Sequence, residues 1–201
     1  QIFENRGNEA GNSNMHPHGQ IWAQGSIPVE VETEMRLQKE YFEKHGTSLL
    51  RDYLHEELQQ GTRVLYRNNS FAILVPFWAA WPYETMIVPL MSLQDFGVLS
   101  EEHIGHLAEA LSVITRVYAS FFGRSRYGAP YTMGIHQRPF DNKEYPGMQL
   151  HIHFHPPLLT THRQKFMVGY ERFGEIQRDI TAEYAANELR QHFDKIKIVG
   201  G

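Results

Sequence analysis

Asn14-Met15-His16-Pro17-His18-Gly19-Gln20-Ile21-Trp22 is the run from which the rest of the chain is best read. If it is extended, residues i, i+2 and i+4 share a face, so His16, His18 and Gln20 point at one small volume that suits a phosphate. A neutral histidine nitrogen can attack phosphorus near neutral pH and hold the transferred group as a phosphoramidate. Gly19 clears the opposite face for close approach, and Pro17, which has no N–H, suits a strand start or an edge. Upstream, Gln1 to Asn14 is a short apolar start followed by a loop dense in Gly, Asn and Ser, which offers amide donors without bulk. A lone His-x-His would read as scattered surface histidines. The loop before this one and the carboxamide after it make it a candidate site.

A second run, His151-Ile152-His153-Phe154-His155, has the literal spacing of a histidine triad. On spacing alone it is the better triad, and a nucleotide hydrolase acting through His153 is one reading of it. The other is a metal site. His136 lies on a neighbouring predicted strand and Glu34 at the start of a helix near the first run; with His151 and His153 they make a three-histidine, one-carboxylate set suited to zinc or iron. The glycine- and asparagine-rich cradle precedes the first run, whereas Tyr145-Pro146-Gly147-Met148 precedes the second, and this favours the metal reading for the second.

The chain has 201 residues, 41% of them hydrophobic and 21% charged, which is ordinary for a globular protein able to bury a core. With 19 basic and 23 acidic residues there is no basic excess to argue for nucleic acid. No apolar run approaches membrane-spanning length and no charged-then-apolar leader opens the chain, so a cytoplasmic enzyme without a membrane partner is the expectation. The absence of cysteine excludes disulfides and thiolate metal sites.

Periodicity predicts an α+β chain. Helices are expected over Glu30 to Lys44, from a cap at Ser48 to before Gly61, from Ser100 to about Phe122, and over Thr181 to Phe193. Strands are expected at Arg63 to Tyr66, Phe71 to Phe77, Thr85 to Pro89, Tyr131 to His136 and Met148 to His155. Trp78 and Trp81, with the alanines between them, are assigned to core packing rather than to a sugar-stacking platform.

Phe3-Glu4-Asn5-Arg6-Gly7, then Gly11-Asn12-Ser13-Asn14-Met15-His16-Pro17-His18-Gly19-Gln20-Ile21-Trp22-Ala23, resembles the active-site region of the galactose-1-phosphate uridylyltransferase family, a branch of the histidine-triad superfamily. The resemblance continues through Val75 to Thr85, Tyr131 to His136, Gln149 to Phe154 and Lys165 to Glu171, in order and over nearly the whole chain. It implies a histidine-triad-like antiparallel sheet with packed helices, divided as the end of a first half (1–27), a helical connector (28–61) and a second half (62–201). Family members carry an amino-terminal half before the Phe-Glu-Asn strand, so the chain reads as a carboxy-terminal portion lacking most of it.

The activity implied is uridylyl transfer between UDP-glucose and galactose 1-phosphate through uridylyl-His18, with His16 orienting its neighbour and Gln20 steadying the phosphoryl oxygens. A carboxamide cannot titrate but can hydrogen-bond those oxygens, which favours transfer over hydrolysis. Asn5, Gly11 and Ser13 would line the nucleotide phosphate path. Lys165, Val168, Tyr170, Glu171 and Gln177 would contact the hexose phosphate across the subunit boundary of a homodimer. The resemblance puts a chiefly structural metal on Glu34, His136, His151 and His153. It also gives His16 to a zinc site whose cysteines come from the amino-terminal half, so that His16 is expected to be an orphaned ligand, and it makes His155 a departure from the family's usual aromatic residue. A metal-binding piece that folds or dimerises without catalysis is the non-enzymatic alternative.

Overall fold

A computed structural model describes residues 1–12, 14, 16, 18–123, 128–193, 195 and 196. Seven strands form one antiparallel sheet: β1 (Ile2–Arg6), β2 (Gly19–Ile21), β3 (Val64–Arg67), β4 (Phe71–Leu74), β5 (Thr85–Pro89), β6 (Tyr131–His136) and β7 (His151–His155). Their order across the sheet is β2-β1-β6-β7-β5-β4-β3. The amino-terminal strands therefore continue the sheet of the carboxy-terminal part, through β1 on β6.

Because strand residues alternate, the two faces acquire different helices. Ile73, Ile87, Ile152 and Phe154 face a core built with α3 (Glu101–Phe121) and α4 (Ala182–Phe193), to which α3 contributes Leu107, Ala110, Ile114 and Val117 and α4 contributes Ala185, Ala186 and Leu189. Ala72, Leu74, Met86 and Val88 point the other way, onto Leu50 and Leu54 of α2 (Leu49–Gln60). The three alternating histidines of β7 share this second face, since His153 pairs with Met86. This is the α+β antiparallel sheet with packed helices that the sequence predicts. No described helix is long and apolar enough to cross a membrane.

Helix α1 (Val29–His45) buries only Val31 and Gln38. Its attachment is accordingly polar and local. Gln149 N–H donates to Gln38 Oε1 at 3.1 Å, Gln38 Nε2 reaches Met148 Sδ at 3.6 Å, and Gly147 presses against Phe42. Gly147 sits at φ +82°, where an added Cβ would meet Phe42 Cβ at 2.6 Å and the Gln38 carbonyl at 2.9 Å. Only glycine meets both demands there.

Three local expectations are corrected. Ser48 stands at the N-cap of α2, but its hydroxyl donates to the Gly147 carbonyl at 3.0 Å instead of capping, so it ties α2 to the same loop that holds α1. By contrast Ser100 does cap α3, accepting from His103 N–H, while the His103 ring accepts from Ser100 N–H. Trp78 is exposed and packs flat-tilted on Tyr53, not in the core, and Trp81 is only partly buried, stacked on His155. The buried member of that run is Ala79, because the segment is a turn and not the end of a strand.

Candidate functional site

Strand register builds the site. Gln20 pairs with Phe3, Phe3 with Gly134, Gly134 with His153, and His153 with Met86, so these residues form one row across the sheet on the α1 and α2 side. Asn5 lies two residues from Phe3 and shares that side, in the row of Thr132 and His155. With strands about 4.8 Å apart, the backbone of Gln20 stands roughly 14 Å from that of His153. Gln20 and the histidines of the second run thus share one face of the sheet.

The run at His16 is shorter as a strand than expected. Strand β2 begins only at Gly19; His16 lies in a bend, with its N–H donating to Asn14 Oδ1 at 3.0 Å, and His18 precedes the strand. The asparagine side chain supplies a local partner that competes with the ladder, and β1 pairs no further back than Gly19. His18 Nδ1 lies 2.8 Å from the His16 carbonyl. A carbonyl can only accept, so Nδ1 carries the proton and Nε2 keeps its lone pair. Gln20 Oε1 accepts from Trp22 Nε1–H at 3.2 Å, and Trp22 packs edge-on against Phe3. In the loop before the run, Gly7 and Gly11 take left-handed backbone angles around a turn at Asn8–Ala10. Ser13, expected on the phosphate path, lies outside the described residues.

The second run converges on Glu34. His136 Nδ1 lies 2.6 Å from Glu34 Oε2, His151 Nε2 lies 3.4 Å from the same oxygen, and His153 Nε2 lies 4.0 Å from Oε1. One ligand atom from each of the four residues falls within 4.8 Å of the others. Burial opposes ionisation of Glu34, but hydrogen bonds from His136 and His151 outweigh it and hold the carboxyl well below the usual range. Burial, reinforced by His151 and His136, pushes His153 well below the usual imidazole value, so it is a neutral donor. Both ring nitrogens of His153 are buried without a hydrogen-bond partner. His151 Nδ1 donates to the Gln149 carbonyl at 2.8 Å, which orients the ring with Nε2 toward Glu34. Orphaned buried nitrogens, convergent imidazoles and an ionised carboxylate fit a bound divalent metal of the zinc or iron type. Among the described residues the two His/Glu clusters do not include His16, which is exposed.

The hexose-phosphate candidates divide. Lys165 turns inward, its Nζ 2.6 Å from Glu171 and 2.7 Å from Asp179. Val168 and Tyr170 are exposed, and so is Gln177, which donates only to backbone next to it in the chain. Lys165, Glu171 and Asp179 line an open groove together with Glu9 of the glycine-rich loop. Sequence reading missed Asp179 and Glu84. Asp179 carries no motif signal, whereas Glu84 could have been found by pairing β5 with β7, which sets it beside His155.

Comparison with known proteins agrees with this architecture. Residues 34–198 match the model of the family described as galactose-1-phosphate uridyl transferase, C-terminal domain, and residues 1–28 match that of the N-terminal domain. The chain is 46% identical over 191 residues to a galactose-1-phosphate uridylyltransferase of Haemophilus influenzae, covering 94% of this chain and 54% of the relative. It is 43% identical over 196 residues to the one from Saccharomyces cerevisiae, covering 94% and 52%. A solved uridylyltransferase structure superposes with a TM-score of 0.88 at 28% identity, covering 96% of this chain and 60% of that one. The chain spans about half the length of the curated relatives it matches. On the match over 34–198, which is most of its length, the chain belongs to the galactose-1-phosphate uridyl transferase family.

Proposed function

We propose that the chain carries the nucleophile and the metal centre of a UDP-glucose–hexose-1-phosphate uridylyltransferase acting in galactose metabolism. The observation that carries this reading is the contact of His18 Nδ1 with the His16 carbonyl at 2.8 Å. With Nδ1–H held by the His16 carbonyl, Nε2 of the neutral ring is a lone pair, two residues ahead of Gln20 on the sheet face that also bears Asn5. His18 Nε2 attacks the α-phosphorus of UDP-glucose, glucose 1-phosphate leaves, and uridylyl-His18 forms. A phosphate oxygen of galactose 1-phosphate then attacks the same phosphorus, the N–P bond breaks, and UDP-galactose departs with His18 restored.

His16 contributes its carbonyl to the tautomer. Gln20 steadies phosphoryl oxygens through its amide N–H, since its carbonyl oxygen is engaged by Trp22. Having no titratable proton, it offers water no general base. Asn5, Gly11 and Ser13 border the nucleotide phosphates, and the groove of Lys165, Val168 and Glu171, with the exposed Tyr170 and Gln177 near them in the chain, takes the hexose phosphate in a homodimer. Glu34, His136, His151 and His153 hold zinc or iron, which ties α1 to β6 and β7. His16 would join a zinc site only with ligands from outside this chain.

The test is covalent labelling. The chain, alone and joined to the amino-terminal half of a relative, is incubated with UDP-glucose radiolabelled in the uridylyl group. Acid-labile label on His18 that is lost in His18→Asn supports the reading, whereas label on His153 would assign the chemistry to the second run.

A further inference from the structure

We propose that Glu84, His153 and His155 form a second divalent-cation site beside the Glu34 cluster, sharing His153 with it. One ring nitrogen of each histidine and one carboxylate oxygen of Glu84 lie within 4.8 Å of one another. The register puts them there. Thr85 pairs with Phe154, so Glu84, just ahead of β5, stands across from His155 on the face that carries His153.

Glu84 is built for this position. It is 5% exposed, and Oε2 accepts the N–H groups of Ala80 and Trp81 at 3.0 and 3.2 Å. The preceding residue, Tyr83, is buried at φ 58°, a strained backbone for a bulky side chain, of the kind that persists where surrounding structure enforces it. The other oxygen, Oε1, is aimed at His155 Nε2 from 3.6 Å. That is too long for a hydrogen bond. Two ligands bonded at about 2.1 Å to a tetrahedral ion stand roughly 3.4 Å apart, so an ion fits between them. His155 Nε2 is buried with no hydrogen-bond partner, and its ring is held by stacking on Trp81 at 6.1 Å and 18°.

His153 completes the set because both of its nitrogens lack partners. A ring nitrogen of His153 belongs to each of the two sets, so the ring is shared between them. Loading both sites through its two nitrogens would release the ring N–H proton to solvent. Two imidazoles and one carboxylate select a borderline ion such as Zn²⁺, Fe²⁺ or Co²⁺ over Mg²⁺ or Ca²⁺. Three protein ligands leave a fourth tetrahedral position for a water.

The experiment is calorimetric titration of the chain, already carrying one equivalent of zinc, with further zinc alone. A second event of one equivalent is expected, weakened about tenfold or more in His155→Phe and in Glu84→Gln. Phenylalanine keeps the stack on Trp81. Glutamine keeps the oxygen that faces Ala80 and Trp81, and serves if the first variant does not fold. His136→Ala should instead remove the first equivalent, which separates failure of this site from failure of the Glu34 site. A titration that ends at one equivalent, with Glu84 and His155 only an ion pair, overturns the proposal. So does a second event unchanged in both variants, which would place it elsewhere.

Discussion

Replacing Gly147 by alanine should loosen the metal centre without touching a ligand. The residue sits at φ +82°, where an L side chain is strained by about 1–2 kcal/mol. Its new Cβ would also lie 2.6 Å from Phe42 Cβ and 2.9 Å from the Gln38 carbonyl, both on α1, and such overpacking adds about 1–3 kcal/mol. Together these predict a loss of roughly 2–5 kcal/mol, which at this chain length is a fall in Tm of about 4–20 °C. Because α1 has only Val31 and Gln38 buried, the overlap is relieved by moving the helix outward, and Glu34 moves with it. Metal affinity should therefore drop about 10- to 100-fold, as when the support of a ligand is removed. Urea unfolding measures the first effect and zinc competition against a chelating dye the second. Gly105→Ala, exposed in α3 with nothing within 4 Å, is the control and should stabilise slightly. If Gly147→Ala unfolds within about 0.5 kcal/mol of the parent and keeps its metal, the loop does not brace α1 and the reasoning fails.

His153→Ala should lower metal content and, with free metal about a hundredfold above its Kd, remove about 2.7 kcal/mol of stability that the parent gains from binding, read as a Tm difference that a chelator abolishes. Arg63→Met should cost about 3–5 kcal/mol, because it strands the Glu57 carboxylate, 1% exposed and 2.6 Å from the guanidinium; Arg63→Met with Glu57→Leu should recover most of that in urea melts. In the metal-free chain, folded His153 resists protonation while its unfolded counterpart binds a proton below about 6.5. Stability is therefore whole above that pH and falls as pH drops below it, by up to about 1.4 kcal/mol per unit, a slope that His153→Phe should flatten. The depressed Glu34 adds a loss only as pH falls through its unfolded value near 4.5.

Most elements were legible because their signals are periodic. The α3 stripe, the Ser100 cap and the alternation of β6 and β7 each depend on residues near in sequence. What escaped depends on partners far along the chain. Ser48 has the identity of a cap, yet the Gly147 carbonyl, 99 positions away, takes its hydroxyl. Lys165 has the look of a phosphate contact, yet Glu171 and Asp179 engage it. The His16 to Gln20 run shows a third limit: alternation assumes a strand, and a local asparagine turn ended the strand early. The Glu34 cluster was readable from ligand chemistry together with the family resemblance, but that Gln20 and His153 occupy one row was not, since pairing of β1 with β6 joins segments about 130 residues apart.

That row makes the site hostage to a slip of one residue. Were β1 to shift by one position along β6, Asn5 would turn toward α3 and Ile2 would turn out of the apolar layer it forms with Ile135 and Ile152. The isoleucines on the far side of the sheet thus act as an alignment key for polar groups they never meet. Trimming Ile2 or Ile135 to a small polar residue would misplace Asn5 and Gln20 relative to the Glu34 cluster while leaving every one of these side chains intact.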